Sequence, residues 1–281
     1  MWYFPQVIQK LSTPNGGLLF MNRHVVNVLV FIRKFFHLIS LIRWLNFYIR
    51  KIVALTHRIQ FLIEWSVDNP EYFDHNIDIY SSWKRTRESY PLERGVFSSL
   101  AMSKDSNVLD LCCGDGFNSY YFYSLRAKNV TAIDFDREAI RWAKRNYGAS
   151  NLTFISGDIR YDIPNGPYNN VVWDAAVEHF TEEEIVSLMS RIKTVLHPNG
   201  TLSGYTILEP SSGGKHLHQH EYEFHNKEDL ARFLTPYFTN VHIFETVFES
   251  RTNLYFFATD DLLPFSRDSS LIFSQTDQEA L

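Results

Sequence analysis

The stretch Asn107-Val-Leu-Asp-Leu-Cys-Cys-Gly-Asp-Gly-Phe-Asn-Ser119 decides how the rest of the chain is read. Val108 to Leu111 is apolar enough for a buried strand, Gly114 and Gly116 supply a turn, and Phe117 to Leu125 continues as a helix. Glycine suits such a turn because it tolerates positive φ and carries no Cβ, so a ligand can lie against the backbone. A second strand, Val130-Thr-Ala-Ile133, ends in Asp134, 24 residues after Asp110. A carboxylate at the end of the second strand of a βαβ unit can accept both hydroxyls of a ribose. Strand, turn, helix, strand and acid together indicate a nucleoside-containing ligand.

The turn narrows the ligand. A dinucleotide site wants G-x-G-x-x-G, and Ser119 stands at the third glycine position. Asp115, between the glycines, would repel a pyrophosphate, whereas an uncharged or cationic ligand part fits. Asp110-Leu-Cys-Cys-Gly-Asp-Gly116 resembles motif I of the class I S-adenosylmethionine-dependent methyltransferases, with Asn118 where that family often has a further glycine. The resemblance, to the ubiquinone/menaquinone-type superfamily, covers roughly residues 104 to 260. It implies a Rossmann-like, mostly parallel seven-stranded sheet of order 3-2-1-4-5-7-6 with helices on both faces and the last strand antiparallel. It also implies S-adenosylmethionine as cofactor, held by Asp110, Cys112, Gly114, Gly116, Asp134, Asp158, Ile159 and Asp174.

Length and charge set outer bounds. A chain of 281 residues can hold one α/β domain with an extension, and a formal net charge of -5 gives no global basic field for nucleic acid. The only cysteines, Cys112 and Cys113, are adjacent, so a structural disulfide is not expected and a reducing cytoplasm is the default compartment. Both serve as small fillers beside the turn.

Residues 1–65 differ from the rest. Met21 to Ile63 is rich in aliphatic and aromatic residues, yet Arg23, Arg33, Lys34, Arg43, Arg50, Lys51 and Arg58 interrupt it, and no uncharged run approaches the roughly 18 residues needed to span a bilayer. At 100° per residue all of Arg33, Arg43, Arg50, Lys51 and Arg58 fall within an arc of about 100°. A helix with a cationic stripe and apolar flanks suits either the plane of an anionic membrane or packing against another protein surface. The domain organisation expected is therefore 1–65 a basic-hydrophobic helical extension, 66–262 the catalytic domain and 263–281 a flexible tail.

Within 66–262, Glu71 to Phe97 carries Tyr72, Phe73, His75, Tyr80, Trp83, Arg85, Arg87 and Arg94, with helical spacing from Ile77 that Pro91 interrupts. Asp136 caps a helix through Asn146, and Leu152 to Ile155 is a third strand. In the resembled family the acid after that strand receives the adenine amino group, which points to Asp158, with Ile159 offering its amide. Asn170-Val-Val-Trp-Asp174 is the fourth strand, and ligands bind beyond the carboxyl ends of such strands, so Asp174 through His179 face the reaction centre. Thr181 and Glu184 form a capping box for a helix to Leu196. Thr201 to Leu208 is the fifth strand, a helix covers Asp229 to Leu234, and Val241 to Phe248 pairs with Asn253 to Thr259 in an antiparallel hairpin.

Catalytic expectations rest on histidine. A hydroxyl acceptor needs a base near neutral pH, and His179, with Glu178 orienting it or contacting substrate, leads His220 as candidate. Ubiquinone-biosynthesis O-methyltransferases hold a metal through E-x-x-E-H at the comparable place. Here Ala175 replaces the first acid of that pattern, so no metal is expected. The polar loop Ser211 to His225 places His218 and His220 two apart, a spacing that could serve a metal with His216 or Glu221, but it reads better as a substrate wall. The expected reaction is O-methylation of a small-molecule, glycan or lipid-linked acceptor, with no nucleic acid partner and peripheral membrane contact through residues 21–63. The rivals are a non-catalytic cofactor-binding scaffold and an aminopropyltransferase.

Overall fold

The structure, a computed structural model, describes residues 27, 28, 31, 38–67, 79, 87–209, 213–215 and 219–263. The expectations for Arg23, Arg33, Lys34, Tyr72, Phe73, His75, Tyr80, Trp83, Arg85, His216, His218 and the tail beyond 263 fall outside those residues.

The glycine turn grows out of strand β1 (Asn107–Leu111), which lies at the middle of a seven-stranded sheet. Val108, Leu109 and Leu111 are fully buried, as expected of a strand covered on both faces. β2 (Asn129–Asp134) and β4 (Tyr168–Asp174) flank β1 in parallel, with Val108 opposite Val130 and Leu109 opposite Val171. β3 (Leu152–Ser156) adds outside β2, and β5 (Leu196–Ile207) outside β4. β7 (Thr252–Thr259) then pairs antiparallel with both β5 and β6 (Asn240–Val247). The order is β3-β2-β1-β4-β5-β7-β6, as the resemblance implied. All five parallel strands β1–β5 therefore end at one edge, where a ligand can meet loops from several of them.

Helix α1 (Leu38–Val67) forms a unit of its own and extends two residues past the expected boundary at 65. Leu41, Ile42, Trp44, Phe47, Ile52, Leu55 and Ile59 are exposed along it, while Arg43, Arg50, Lys51 and Arg58 keep to one side, with Lys51 Nζ 4.4 Å from the centre of the Phe47 ring. Among the described residues, no helix is long and apolar enough to cross a membrane.

In the sheet domain, α2 (Tyr90–Ser99) corrects the expectation at Pro91. The proline opens this helix instead of interrupting one, since its missing N–H costs nothing in the first turn. The helix after the glycine turn is also shorter than expected. α3 (Phe117–Tyr121) breaks at Phe122 and resumes as a 3-10 turn, Tyr123–Leu125. The break falls where the Phe122 ring lies against Gly95 of α2 with no room for a Cβ, so packing overrides continuation. α4 (Arg137–Asn146) is capped by Asp136, whose carboxylate accepts from the Glu138 and Ala139 amides. α5 (Glu182–Val195) begins with the expected Thr181–Glu184 capping box. α6 (Lys227–Leu234) starts two residues earlier than read, because the Asn226 side chain accepts from the Asp229 amide and caps it.

Candidate active site

At the carboxyl end of β1 the chain enters the left-handed region three times, at Cys112 (φ 57), Gly114 (φ 54) and Gly116 (φ 80). A Cβ on Gly116 would lie 2.5 Å from the Phe154 ring, so glycine is required there by both conformation and space. Asp115, which argued against a pyrophosphate, is buried and accepts from the Phe117 amide, starting α3. Asp134 spans the turn: one carboxylate oxygen accepts from Gly114 N at 2.8 Å and the other from Asp136 N at 2.8 Å. Asp134 thus ends β2 at the place where a carboxylate can meet ribose hydroxyls. Cys112 lies half-buried beside this turn, and burial pushes its thiol well up, so it acts as a neutral wall.

The floor of the cleft is acidic. Asp110 accepts from Ser119 Oγ at 2.5 Å, and burial pushes its carboxyl up to about 8, Ser119 opposing and Asp174 adding to the rise. Asp174, at the end of β4, accepts from Arg94 Nε at 2.7 Å and Asn118 Nδ2 at 3.1 Å through one oxygen. Burial raises its carboxyl also, with the Arg94 charge acting against the shift. Its other oxygen, Oδ1, and the carbonyl Oδ1 of Asn118 are buried acceptors with no donor among the described residues. Such orphans are costly unless something supplies protons. An ammonium group supplies three, and Arg94 adjoins them to receive a carboxylate. The amino-acid end of S-adenosylmethionine fits this donor set.

Asp158 follows β3 where an adenine contact was expected. Its carboxylate is held by Arg160 at 2.7 Å and 3.1 Å, and those hydrogen bonds keep it below the usual carboxylate range. Adenine would have to share it with that guanidinium. Ile159 is buried next to it, with its carbonyl accepting from Arg191.

The other wall comes from two segments far apart in sequence. Ala175 (φ 53) turns the chain sharply out of β4 into a 3-10 turn, Val177–His179. The Glu178 carbonyl accepts from the Glu221 and Tyr222 amides at 2.8 and 3.0 Å, which stitches the turn to the loop carrying His220. As a result the His179 and His220 rings meet edge to face with centroids 4.8 Å apart. Glu178 is 4% exposed, and its Oε2 accepts from Thr206 Oγ1 at 3.0 Å. His220 is 3% exposed, with Nδ1 2.7 Å from Glu223 Oε1. Burial lowers the pKa of its imidazole, against the pull of the Glu178 charge and the Glu223 hydrogen bond. With the Nδ1 proton given to Glu223, the neutral ring keeps its lone pair on Nε2.

The structure thus brings Asp110, Cys112, Gly114, Gly116, Asp134 and Asp174 to one strand edge, and Glu178, His179 and His220 to one wall. Arg94, Asn118, Thr206 and Glu223 were missing from the candidate set. Arg94 stood in a segment read, by resemblance, as closing over the cofactor or else as an ordinary helix on the sheet edge, and Glu223 follows His220 by three residues, a spacing that is informative only once the loop's turn is known.

An antiparallel strand inserted next to the sheet edge is what separates one class of nucleoside-binding α/β domains from the dehydrogenases, and the orphan acceptors at Asp174 and Asn118 suit a cation. The domain resembles the class I S-adenosylmethionine-dependent methyltransferases in fold and in these acceptors. Residues 108–200 match the family described as methyltransferase domain. An uncharacterized methyltransferase of Mycobacterium tuberculosis is 32% identical over 105 residues, covering 37% of this chain and 52% of that protein. Another from Synechocystis is 30% identical over 116 residues, covering 41% and 53%. The chain therefore spans about half the length of these curated relatives. Among solved structures, the S-adenosylmethionine-dependent methyltransferase SibL in its apo form shares the fold with a TM-score of 0.52, at 14% identity over 66% of this chain and 58% of that one.

Proposed function

We propose that the protein transfers the methyl group of S-adenosylmethionine to the hydroxyl oxygen of a small-molecule, glycan or lipid-linked acceptor. The observation that carries this reading is the wall of Glu178, His179 and His220, which pairs with the cofactor cleft at the carboxyl end of β4. When bound, the cofactor supplies a methyl on a sulfonium, a leaving group that needs no acid. The chain's task is to align the acceptor oxygen with that methyl and to lower the cost of losing its proton. The clustered lone pairs of the two imidazoles and the carboxylate suit a hydroxyl. An amine acceptor would need only to be neutral.

The same reading gives the cofactor-side residues their roles, which the geometry supports. Asp134 takes the ribose, the orphan acceptors of Asp174 and Asn118 take the ammonium, and Arg94 takes the carboxylate. A labelled-methyl assay on extracts fractionated by acceptor chemistry tests the reading directly. Label recovered as a base-stable methyl ether supports it, and label found only on nitrogen refutes it.

The α1 helix suggests where the acceptor resides. Its exposed apolar surface and the one-sided Arg43, Arg50, Lys51 and Arg58 suit the surface of an anionic bilayer, which would bring the domain to a lipid-linked acceptor. Deleting residues 1–65 should abolish co-flotation with anionic vesicles, and unchanged flotation would exclude this role.

A further inference from the structure

We infer that Glu178, His179 and His220 together bind one divalent first-row transition-metal ion, with Glu223 and Thr206 holding the ligands in place. One ligand atom from each of the three residues lies within 4.8 Å of the other two. A point about 2.8 Å or less from all three atoms therefore exists, against bonds of roughly 2.0–2.2 Å to zinc. Side-chain settling well under 1 Å per residue closes the difference.

Proximity alone would be weak, but the surroundings also have the form of a metal site. Metal-bound histidine commonly passes its second ring N–H to a carboxylate, which fixes the tautomer and aims the other nitrogen at the ion. Glu223 does this for His220 Nδ1 at 2.7 Å, leaving Nε2 as ligand. Thr206 Oγ1 plays the same part for Glu178, engaging Oε2 at 3.0 Å. The two ligand-bearing segments are locked by the paired amide bonds from Glu221 and Tyr222 to the Glu178 carbonyl. Further along, Leu208 bridges Phe224 and the Glu209 amide donates to its carbonyl, so the loop's return is fixed as well.

A second observation points to a cation independently. Glu178 is 4% exposed as a residue and has no Lys or Arg partner among the described residues. A buried carboxylate without a cation is costly, and a divalent ion offsets that cost. Two nitrogens and one oxygen favour zinc, manganese, iron or cobalt over magnesium or calcium, which prefer oxygen alone. Three protein ligands leave coordination positions open. Ala175 removes an acid that the sequence pattern wanted, and His220, 45 residues further on, supplies the third ligand from another loop.

The ion's role rests on the proposed methyl transfer to oxygen, whereas its binding does not. The acceptor hydroxyl would occupy an open position, lose its proton to bulk water and attack the methyl carbon. The C–O bond forms as the C–S bond breaks, and the electron pair returns to sulfur as the neutral thioether.

The test uses the full chain, stripped with chelator and titrated with Co²⁺ followed by visible d–d absorption, then with Zn²⁺ in competition. One ion per chain is expected, with affinity lost at least a hundredfold in His220→Ala and in His179→Ala, and reduced about 10- to 100-fold in Glu223→Gln. His225→Ala, a surface histidine paired with Glu209, should bind like the parent. Far-ultraviolet circular dichroism confirms that each variant folds. Should His220→Ala misfold, the half-buried His179→Ala carries the test. No stoichiometric Co²⁺ binding, or binding that both histidine variants retain, overturns the inference. Methyl transfer that persists in excess chelator would also remove the ion while leaving the methyltransferase reading intact. A metal-binding protein without any methyl acceptor would do the reverse.

Discussion

The two sides of the cleft are built differently. The centre of the cofactor side lies between Asp110 and Asp134, where one strand, one turn and the next strand bring groups together through the backbone itself, and Asp174 with Arg94 joins it from elsewhere in the chain. Asp134 is held by the amides of Gly114 and Asp136, so its position is set by the covalent chain within a 25-residue unit. The acceptor side joins Glu178 and His179 to His220 and Glu223 across more than 40 residues, through amide bonds between two loops. A side fixed by local geometry can be shared by many enzymes, whereas one fixed by loop-to-loop contacts is free to change with its substrate.

Breaking each side separately should give opposite signatures. The largest effect is expected at the floor of the cofactor side, for Arg94→Met, which leaves Asp174 buried with its charged partner removed. A stability loss of roughly 2–4 kcal/mol is expected, visible as a lower midpoint in urea unfolding. An unchanged midpoint would show that Asp174 needs no countercharge. Asp134→Ala should follow, with cofactor affinity falling about a hundredfold, roughly 2.7 kcal/mol, in isothermal titration, and with turnover at saturating cofactor much less affected. His179→Ala should invert that pattern. Cofactor affinity stays at the parent level while turnover drops at least tenfold, about 1.4 kcal/mol. If both variants damaged affinity and turnover alike, the two sides would be one unit and the contrast would fail.

The same contrast explains how far the sequence could be read. Strand, glycine turn and acid from Asn107 to Asp134 obey local rules, and so do the Asp136 cap and the Thr181–Glu184 box, so all of them are visible in a one-dimensional chain. The sheet order was legible only through family resemblance, since nothing local to β7 states that it inserts between β5 and β6. Pro91 was read as a break because proline punctuates helices at both ends, and only packing tells which end applies. Glu223 was invisible as a site residue, and Arg94 was only one of many polar residues in the segment before β1. Each acts through a partner, His220 and Asp174, and long-range pairing leaves no periodic trace.

The smallest expected effect bears on the cofactor side and reads the burial of Asp110 directly. Its carboxyl is pushed up to about 8 by burial, whereas in the unfolded chain it titrates near 4. Between those values the native state holds a proton that the unfolded chain has lost, so this group's contribution to stability falls as pH rises from about 4 to 8 and is constant above. A cationic cofactor placed over the same floor favours the ionised carboxylate and must therefore expel the proton on binding near neutral pH. Calorimetry at pH 7 in two buffers of different ionisation enthalpy should record release of close to one proton, and affinity should rise several-fold from pH 7 to 8 before levelling. Asp110→Asn, which retains an acceptor for Ser119 but cannot ionise, should release none and bind with little pH dependence. Equal proton release by both proteins would place the titrating group elsewhere and would make Asp110 a strut for Ser119 and α3. The acidic floor would then consist of Asp174 and Asp134 alone.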